Sequence, residues 1–201
     1  MPETHRLTVG PGVHIGSGVS IGEGAILGAN AVLLGPAVIG GRVRIGPGAV
    51  IGCQGFGYEW TGTGWRWLEH GGPVVIEENV DIGAGVTVAQ AKAGRETRIC
   101  RGTKIDAHVH IGHNVRIGRD CVIAAMTGIA GSAFIGDRVR IGGQVGISDH
   151  VRVGDDAIIM ARSAVFRSVP AGACYSGNPA RPHDETTRLW ARVRRHFLPR
   201  K

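Results

Sequence analysis

The sequence predicts an all-β fold: a parallel β-helix with a hairpin-like insertion and a short C-terminal α-helix. Three observations predict it. Aliphatic residues recur with a period of six over most of the chain, an aromatic segment interrupts that repeat once, and a basic, helix-like segment follows it. A period of six matches neither the 3.6 of a helix nor strand alternation.

The repeat is the main evidence for the fold. Aliphatic residues fall six apart in three runs, from Ile15 to Ile51, from Ile76 to Val88, and from Ile99 to Val165. Each hexapeptide of a β-helix is one short strand plus a tight turn, with its aliphatic side chain pointing inward. Stacked coils then bury a continuous apolar column, so few large aromatic residues are needed.

We predict a β-helix domain over residues 1–170, with the coils beginning near Val13. An aromatic insertion occupies 53–72. A corner bulge occupies 89–98, because the aliphatic residues on either side of it are eleven apart instead of twelve. Residues 171–201 form a linker and a basic helix.

The insertion contains most of the tryptophan of the chain. Trp60 and Trp65–Trp67 lie on either side of Thr-Gly-Thr-Gly, which is typical of a protruding hairpin. Aromatic side chains there either pack against the β-helix or a second subunit, or bind the ring of a ligand. The sequence leaves both interpretations open.

The C-terminal segment carries most of the net charge of +7. From Arg181 to Lys201 there are seven Lys or Arg against two acidic residues, a balance of +5. Pro182 and Asp184 mark a helix start, with acidic residues in its first turn and basic ones in its last. Such a segment suits an acidic partner, although a solvated face is an equally good interpretation.

Several classes of function lack support. The apolar runs are too short to cross a bilayer, and the start lacks the layout of a signal peptide, so we expect a cytoplasmic protein. No nucleic-acid-binding motif is present. The four cysteines are scattered without a C-x-x-C pair, which argues against a zinc ribbon or a disulfide framework: Cys53, Cys100, Cys121 and Cys174.

A candidate catalytic group lies in the histidine-rich stretch 104–114. If three hexapeptides make one coil, residues eighteen apart stack vertically, so Gly131 lies one coil above His113. A histidine can remove a proton from an amine or hydroxyl nucleophile. A backbone N–H beside it can stabilise the oxyanion of a tetrahedral intermediate. A base and an oxyanion donor are the smallest set of groups that acyl transfer requires, and this pair provides both.

The chain resembles the UDP-3-O-acylglucosamine N-acyltransferases of lipid A synthesis over roughly Val13 to His183. The resemblance is carried by non-repeat strings in order: Gly55-Phe56-Gly57-Tyr58, Lys104-Ile105-Asp106, Val109-His110-Ile111-Gly112-His113-Asn114, Gly128-Ile129-Ala130-Gly131-Ser132, Ile141-Gly142-Gly143-Gln144-Val145-Gly146-Ile147, and Tyr175-Ser176-Gly177-Asn178-Pro179-Ala180.

That resemblance implies a left-handed β-helix homotrimer with active sites between subunits. It implies transfer of a 3-hydroxyacyl group from acyl carrier protein to a sugar-nucleotide amine. We expect no bound cofactor or metal. The catalytic histidine of the family falls on His113, its oxyanion glycine on Gly131, and a second active-site histidine on His150.

Further sites follow as expectations. We assign substrate binding to residues in the shared strings: Phe56, Tyr58, Asn114 and Gln144. We assign binding of the donor, an acyl carrier protein or coenzyme A thioester, to the basic helix through Arg192, Arg194 and Arg195.

The chain also departs from the family. The family carries an N-terminal domain that helps to hold the uridine, and we expect it to be absent because the coils begin near residue 13. The family's Thr-Ile-Asp-Arg-Gly is replaced by Thr87-Val88-Ala89-Gln90-Ala91, and its Asp-Asn-Gln by Asp106-Ala107-His108. These changes lie near the expected site, so they put the acceptor in doubt.

Three alternatives remain open. In the first, the acceptor is another small-molecule amine of a specialised pathway. In the second, the protein is a γ-type zinc carbonic anhydrase, with His108 and His113 as ligands and His70 as a third. In the third, it is a non-catalytic scaffold.

Overall fold

The computed structural model describes residues 6–197, which form 27 β-strands and one α-helix. In chain order these are β1 Thr8–Val9, β2 His14–Ile15, β3 Val19–Ile21, β4 Ile26–Leu27, β5 Val32–Leu33, β6 Ala37–Ile39, β7 Arg44–Ile45, β8 Val50–Cys53, β9 Tyr58–Trp60, β10 Trp65–Trp67, β11 Val74–Ile76, β12 Asp81–Ile82, β13 Thr87–Ala89, β14 Thr97–Ile99, β15 Lys104–Ile105, β16 His110–Ile111, β17 Arg116–Ile117, β18 Val122–Ile123, β19 Gly128–Ile129, β20 Phe134–Ile135, β21 Arg140–Ile141, β22 Gly146–Ile147, β23 Arg152–Val153, β24 Ile158–Ile159, β25 Ala164–Val165, β26 Cys174–Ser176, β27 Arg181–Pro182 and α1 His183–Phe197.

The strands form the three faces of a left-handed parallel β-helix, as predicted. One face has the order β1-β4-β7-β12-β15-β18-β21-β24-β26-β27, the second β2-β5-β8-β13-β16-β19-β22-β25, and the third β3-β6-β11-β14-β17-β20-β23. Ile111 pairs with Ile129, and Ile105 with Ile123. The register of eighteen residues confirms that three hexapeptides make one coil.

The core is a column of aliphatic side chains along the axis. The repeat residues from Leu27 to Val169 are buried in one continuous cluster. Fully burying such a side chain stabilises the fold by about 1.5–3 kcal/mol. The repeat therefore explains the stability of the coils without help from the exposed aromatic residues.

The corners require left-handed backbone angles, and they form vertical columns. Asn114, Ser132 and His150 have φ of 58°, 62° and 58°. They stack because the N–H of Ser132 donates to the carbonyl of His113 and that of His150 to the carbonyl of Gly131. Met126, Gln144 and Arg162 form a column on another corner. This separation decides which predicted site residues meet within one chain.

The aromatic insertion forms the predicted hairpin. Strands β9 and β10 pair antiparallel, with Trp65 opposite Trp60 and Trp67 opposite Tyr58. Its aromatic side chains are exposed, Phe56 by 85% and Trp65 by 69%. Phe56 and Trp65 are therefore largely available for contact with a ligand or with another subunit, whereas Tyr58 and Trp67 are half-buried.

The limits of the β-helix differ from those expected. Strand β1 pairs with β4, so the coils begin at Thr8, and β26 pairs with β24 beyond Pro170. Tyr175 lies opposite Ile159, a spacing of sixteen, so this last strand falls outside the hexapeptide period. Residues 1–5 of the expected lead-in, and Arg200 and Lys201 of the basic tail, lie outside the described residues.

The predicted C-terminal helix is confirmed as α1. It has acidic residues in its first turn and Arg194, Arg195 and His196 in its last. Within residues 6–197, no helix is long and apolar enough to span a membrane.

Candidate active site

His113 lies at the corner that follows β16, directly beneath Gly131 of the next coil. A Cβ added to Gly131 would lie 2.6 Å from both Cε1 and Nε2 of His113. Only a glycine leaves room for the imidazole in this position, because a larger residue would displace the ring. The vertical pairing predicted from the spacing of eighteen residues is therefore present.

The backbone of Gly131 offers a donor at the same place. Among the hydrogen bonds of residues 6–197, the N–H of Gly131 has no protein acceptor, whereas its neighbours Ala130 and Ser132 donate to Ile147 and His113. A free N–H beside an imidazole suits an oxygen that gains negative charge during a reaction.

A second histidine, His70 of the insertion, packs against the first. The ring centroids of His70 and His113 are 4.8 Å apart, and His70 is 1% exposed. A Cβ on Gly55 would lie 2.8 Å from Cδ2 of His70, and one on Gly57 would lie 2.6 Å from its Cε1. The two glycines of the Gly-Phe-Gly-Tyr string thus form a cradle for this ring.

Two glutamines fix the backbone around His70. The side chain of Gln54 accepts from the N–H of His70 at 2.9 Å and donates to its carbonyl at 3.0 Å. It also donates to the side-chain oxygen of buried Gln90, which itself donates to the carbonyl of Gly35. The corner bulge and the insertion are therefore held together by one hydrogen-bond network.

Burial lowers the pKa of His113 below its ordinary value. Positive charge in its surroundings, Lys92 included, lowers this pKa further. Because the shift favours the neutral imidazole, His113 holds a free lone pair at neutral pH and can act as a base.

The open side of His113 faces a cleft of about 650 Å³. Its lining combines one cation with aromatic and apolar groups: Phe56, Gly57, Tyr58, Trp65, Leu68, Lys92 and His113. The rings of Phe56 and Tyr58 meet edge to face at 5.1 Å. A volume in this range accommodates a small organic ligand.

The structure brings only some of the predicted site residues together. Phe56 and Tyr58 lie at the cleft with His113. Asn114 is beside it, but its side chain accepts from the N–H of Lys92 at 2.8 Å and so supports the corner bulge. His150 lies two coils above His113, which is a distance of about 10 Å at the usual spacing between strands.

Other predicted residues lie elsewhere in the same chain. Gln144 stands on the other corner column and accepts from Arg162 at 2.8 Å. Arg192, Arg194 and Arg195 are exposed on α1. Gln144 would approach a His113 cleft only from a second subunit.

The described residues of this chain do not form the three-ligand cluster that the zinc alternative requires within one chain. Among residues 6–197, no three His, Cys, Asp or Glu side chains form a group suited to a metal ion. His108 occupies a corner above Gly85, and His110 meets the hydroxyl of Thr87 at 2.7 Å.

The sequence does not reveal that His70 neighbours the presumed base. Its pattern suggests His70 only as a third zinc ligand. The hexapeptide register places residues within coils, but it does not fix the path of an insertion. The two glycines at 55 and 57 are the only signal that a ring fills this place, and many loops contain such glycines.

Family models confirm the repeat. The model described as bacterial transferase hexapeptide (six repeats) matches residues 5–35, 18–53 and 96–131. The model described as hexapeptide repeat of succinyl-transferase matches residues 133–165. Together they cover more than half of the chain.

Curated relatives confirm the resemblance to the UDP-3-O-acylglucosamine N-acyltransferases. A protein of that name from Caulobacter sp. (strain K31) is 50% identical over 148 residues, which are 74% of this chain and 43% of the relative. One from Methylococcus capsulatus is 41% identical over 137 residues, 68% of this chain and 38% of the relative. The chain thus spans less than half the length of the curated relatives it matches.

A solved structure shares the fold over nearly the whole chain. A UDP-N-acetylglucosamine acyltransferase crystal structure superposes with a TM-score of 0.77 at 27% identity, covering 98% of this chain and 81% of the other.

Proposed function

We propose that this chain, which belongs to the hexapeptide-repeat transferases and is similar to UDP-3-O-acylglucosamine N-acyltransferases, transfers an acyl group from a thioester to an amine on a sugar nucleotide in lipid A synthesis. The observation that carries the proposal is the contact between His113 and Gly131 at the edge of an aromatic cleft.

The chemistry needs only these two groups. As the amine nitrogen attacks the thioester carbonyl, the imidazole of His113 takes a proton from it. The carbonyl oxygen becomes an oxyanion, which the N–H of Gly131 stabilises. Collapse of the tetrahedral intermediate expels the sulfur, and His113 returns the proton to the thiolate. The products are an amide and a free thiol.

The lining of the cleft suits the two parts of a sugar nucleotide. The faces of Phe56, Tyr58 and Trp65 offer a surface against which a base or sugar ring can stack. Lys92 supplies a positive charge for a phosphate at the same cleft.

The exposed arginines of α1 support the choice of donor. Within residues 6–197, Arg192, Arg194 and Arg195 form no ion pair, so their charge is available to an acidic partner. Both an acyl carrier protein and the phosphate-bearing end of coenzyme A are acidic. The helix directly follows β27, which pairs with β26. Strand β26 lies four strands from β15, which is the strand before β16 and the His113 corner, so the two are about 19 Å apart along the axis.

We propose a homotrimer, with Gln144 of one subunit approaching His113 of the next. The two residues stand on different corner columns of one chain, so only a neighbouring copy can bring them together. Light scattering at micromolar concentration should give three times the mass of the chain, and a monomer would contradict this.

A direct assay tests the proposed reaction. The purified chain is incubated with acyl carrier protein and coenzyme A thioesters and with UDP-linked amino sugars, and amide products are measured by mass spectrometry. Acylation of a UDP-amino sugar supports the proposal. Acylation of a simple amine alone would favour the alternative acceptor, and no acylation of any amine would contradict the proposal.

A further inference from the structure

Among the described residues 6–197, two ring nitrogens beside the cleft are buried without a hydrogen-bond partner. They are Nε2 of His70 and Nδ1 of His113, and their rings are the neighbours described above. Buried polar atoms are nearly always paired, and an unpaired one costs about 1–3 kcal/mol. Two such atoms on adjacent rings therefore suggest that each is the partner of the other.

The position of one proton follows from the backbone. Nδ1 of His70 lies 3.0 Å from the carbonyl oxygen of Leu68. A carbonyl only accepts hydrogen bonds, so this nitrogen carries the proton. In a neutral imidazole the other nitrogen is then an acceptor. The free Nε2 of His70 thus requires a donor, and Nδ1 of His113 can provide it.

We infer that His70 is a positioning residue, which accepts a hydrogen bond from Nδ1 of His113 and so keeps the lone pair of that ring on Nε2. The centroids of the two rings lie 4.8 Å apart. Nε2 of His113 lies on the ring edge that faces Gly131, where the nucleophile and the thioester carbonyl would meet. The expected effect of His70 on the reaction rate rests on the proposed function. The hydrogen bond between the two rings does not.

The surroundings of His70 are rigid, as such a role requires. The backbone of Gly55 and Gly57 lies close against the ring, and the side chain of Gln54 holds both backbone polar groups of His70. A base works best when a third group fixes its orientation and its tautomer.

The tautomer is measured directly, in the intact chain without substrate. Imidazole-nitrogen NMR at mildly alkaline pH should show His113 protonated on Nδ1 and free on Nε2. In His70→Leu, which offers no acceptor, His113 should shift toward the form protonated on Nε2. In His70→Gln, whose side-chain oxygen accepts, the tautomer should stay as in the original chain. A wild-type His113 protonated on Nε2, or a tautomer unaffected by His70→Leu, would overturn the inference.

Kinetics provide the second readout. His70→Leu should lower kcat by about 10-fold with little change in KM, and His70→Gln should recover most of it. Circular dichroism and thermal unfolding establish that both variants are folded. If His70→Leu does not fold, the wild-type tautomer still decides the question. Stoichiometric zinc held between the two rings in the purified protein would overturn the inference.

The two proposals fail in different ways. A fixed tautomer in a chain that acylates nothing would refute the proposed function and leave the pairing of the histidines intact. Active enzyme with equal kcat in the original chain and in a folded His70→Leu would refute the role of His70 alone.

Discussion

Gly131 lies directly above the imidazole of His113, so close that a Cβ on the glycine would be 2.6 Å from two ring atoms. Gly131 lacks a left-handed backbone angle, so its backbone accepts an alanine. The clash of Gly131→Ala is therefore with the end of a side chain, which can move.

We expect Gly131→Ala to displace His113 and to lower kcat by about 10²-fold or more, because small displacements of a base are costly. The free energy of unfolding should change by less than about 1 kcal/mol. Gly128→Ala is the matched control, since a Cβ there would meet no atom within 4 Å. Unchanged kcat in Gly131→Ala would show that the contact has no part in the reaction.

The lowered pKa of His113 predicts the acid side of the pH–rate profile. The base is active when neutral, so activity falls as pH drops through its pKa. Because burial lowers that pKa beneath the ordinary 6.5, kcat/KM should hold down to below pH 6.5 and fall only there. An acid limb with its midpoint well above 6.5 would contradict the assignment of His113 as the base.

The arginines of α1 should affect the encounter with the donor and not the chemistry. Replacing Arg192, Arg194 and Arg195 together by Glu should raise KM for the donor, chiefly at low salt, because exposed charges are screened. The value of kcat and the KM for the acceptor should change little. Arg140→Glu, on a strand of the β-helix, is the control. Donor kinetics unaffected at low salt would leave α1 as a packing or solubility element.

Gln90 should support the insertion through its two hydrogen bonds. Gln90→Leu leaves the carbonyl of Gly35 and the amide of Gln54 without that partner, which costs about 1–3 kcal/mol. Thermal unfolding should show the loss, and hydrogen exchange should increase within residues 54–72. Glu23→Leu, at an exposed position far from the insertion, should change stability little. Equal exchange in the original chain and in Gln90→Leu would mean that the network does not hold the insertion.

The coils could be predicted from the sequence because each hexapeptide shows the same local pattern. The inward aliphatic side chain recurs at a fixed period, so a spacing of eighteen sufficed to place Gly131 above His113. Strand β26 was missed because it pairs with a spacing of sixteen, outside that period.

The insertion was predictable only as a hairpin. The turn residues and the aromatic residues on either side of them indicate β9 and β10. The hexapeptide repeat does not predict where residues 68–72 return to the β-helix. The contact of His70 with His113 depends on Gln54 and Gln90, which are far apart in sequence and meet only in the folded chain. Gln144 lies on a different corner column from His113, and a shared string does not reveal on which corner its residues lie.

The most direct measurement of the central claim is the rate of acyl transfer by His113→Ala, compared with the original chain on the same thioester and amine. Loss of a general base should lower kcat by about 10²–10⁴-fold, with a much smaller change in KM, and circular dichroism should show that the variant keeps its fold. His14→Ala, an exposed histidine at the far end of the same face, is the control and should behave as the original chain. Activity of His113→Ala within a few-fold of the original would contradict the account.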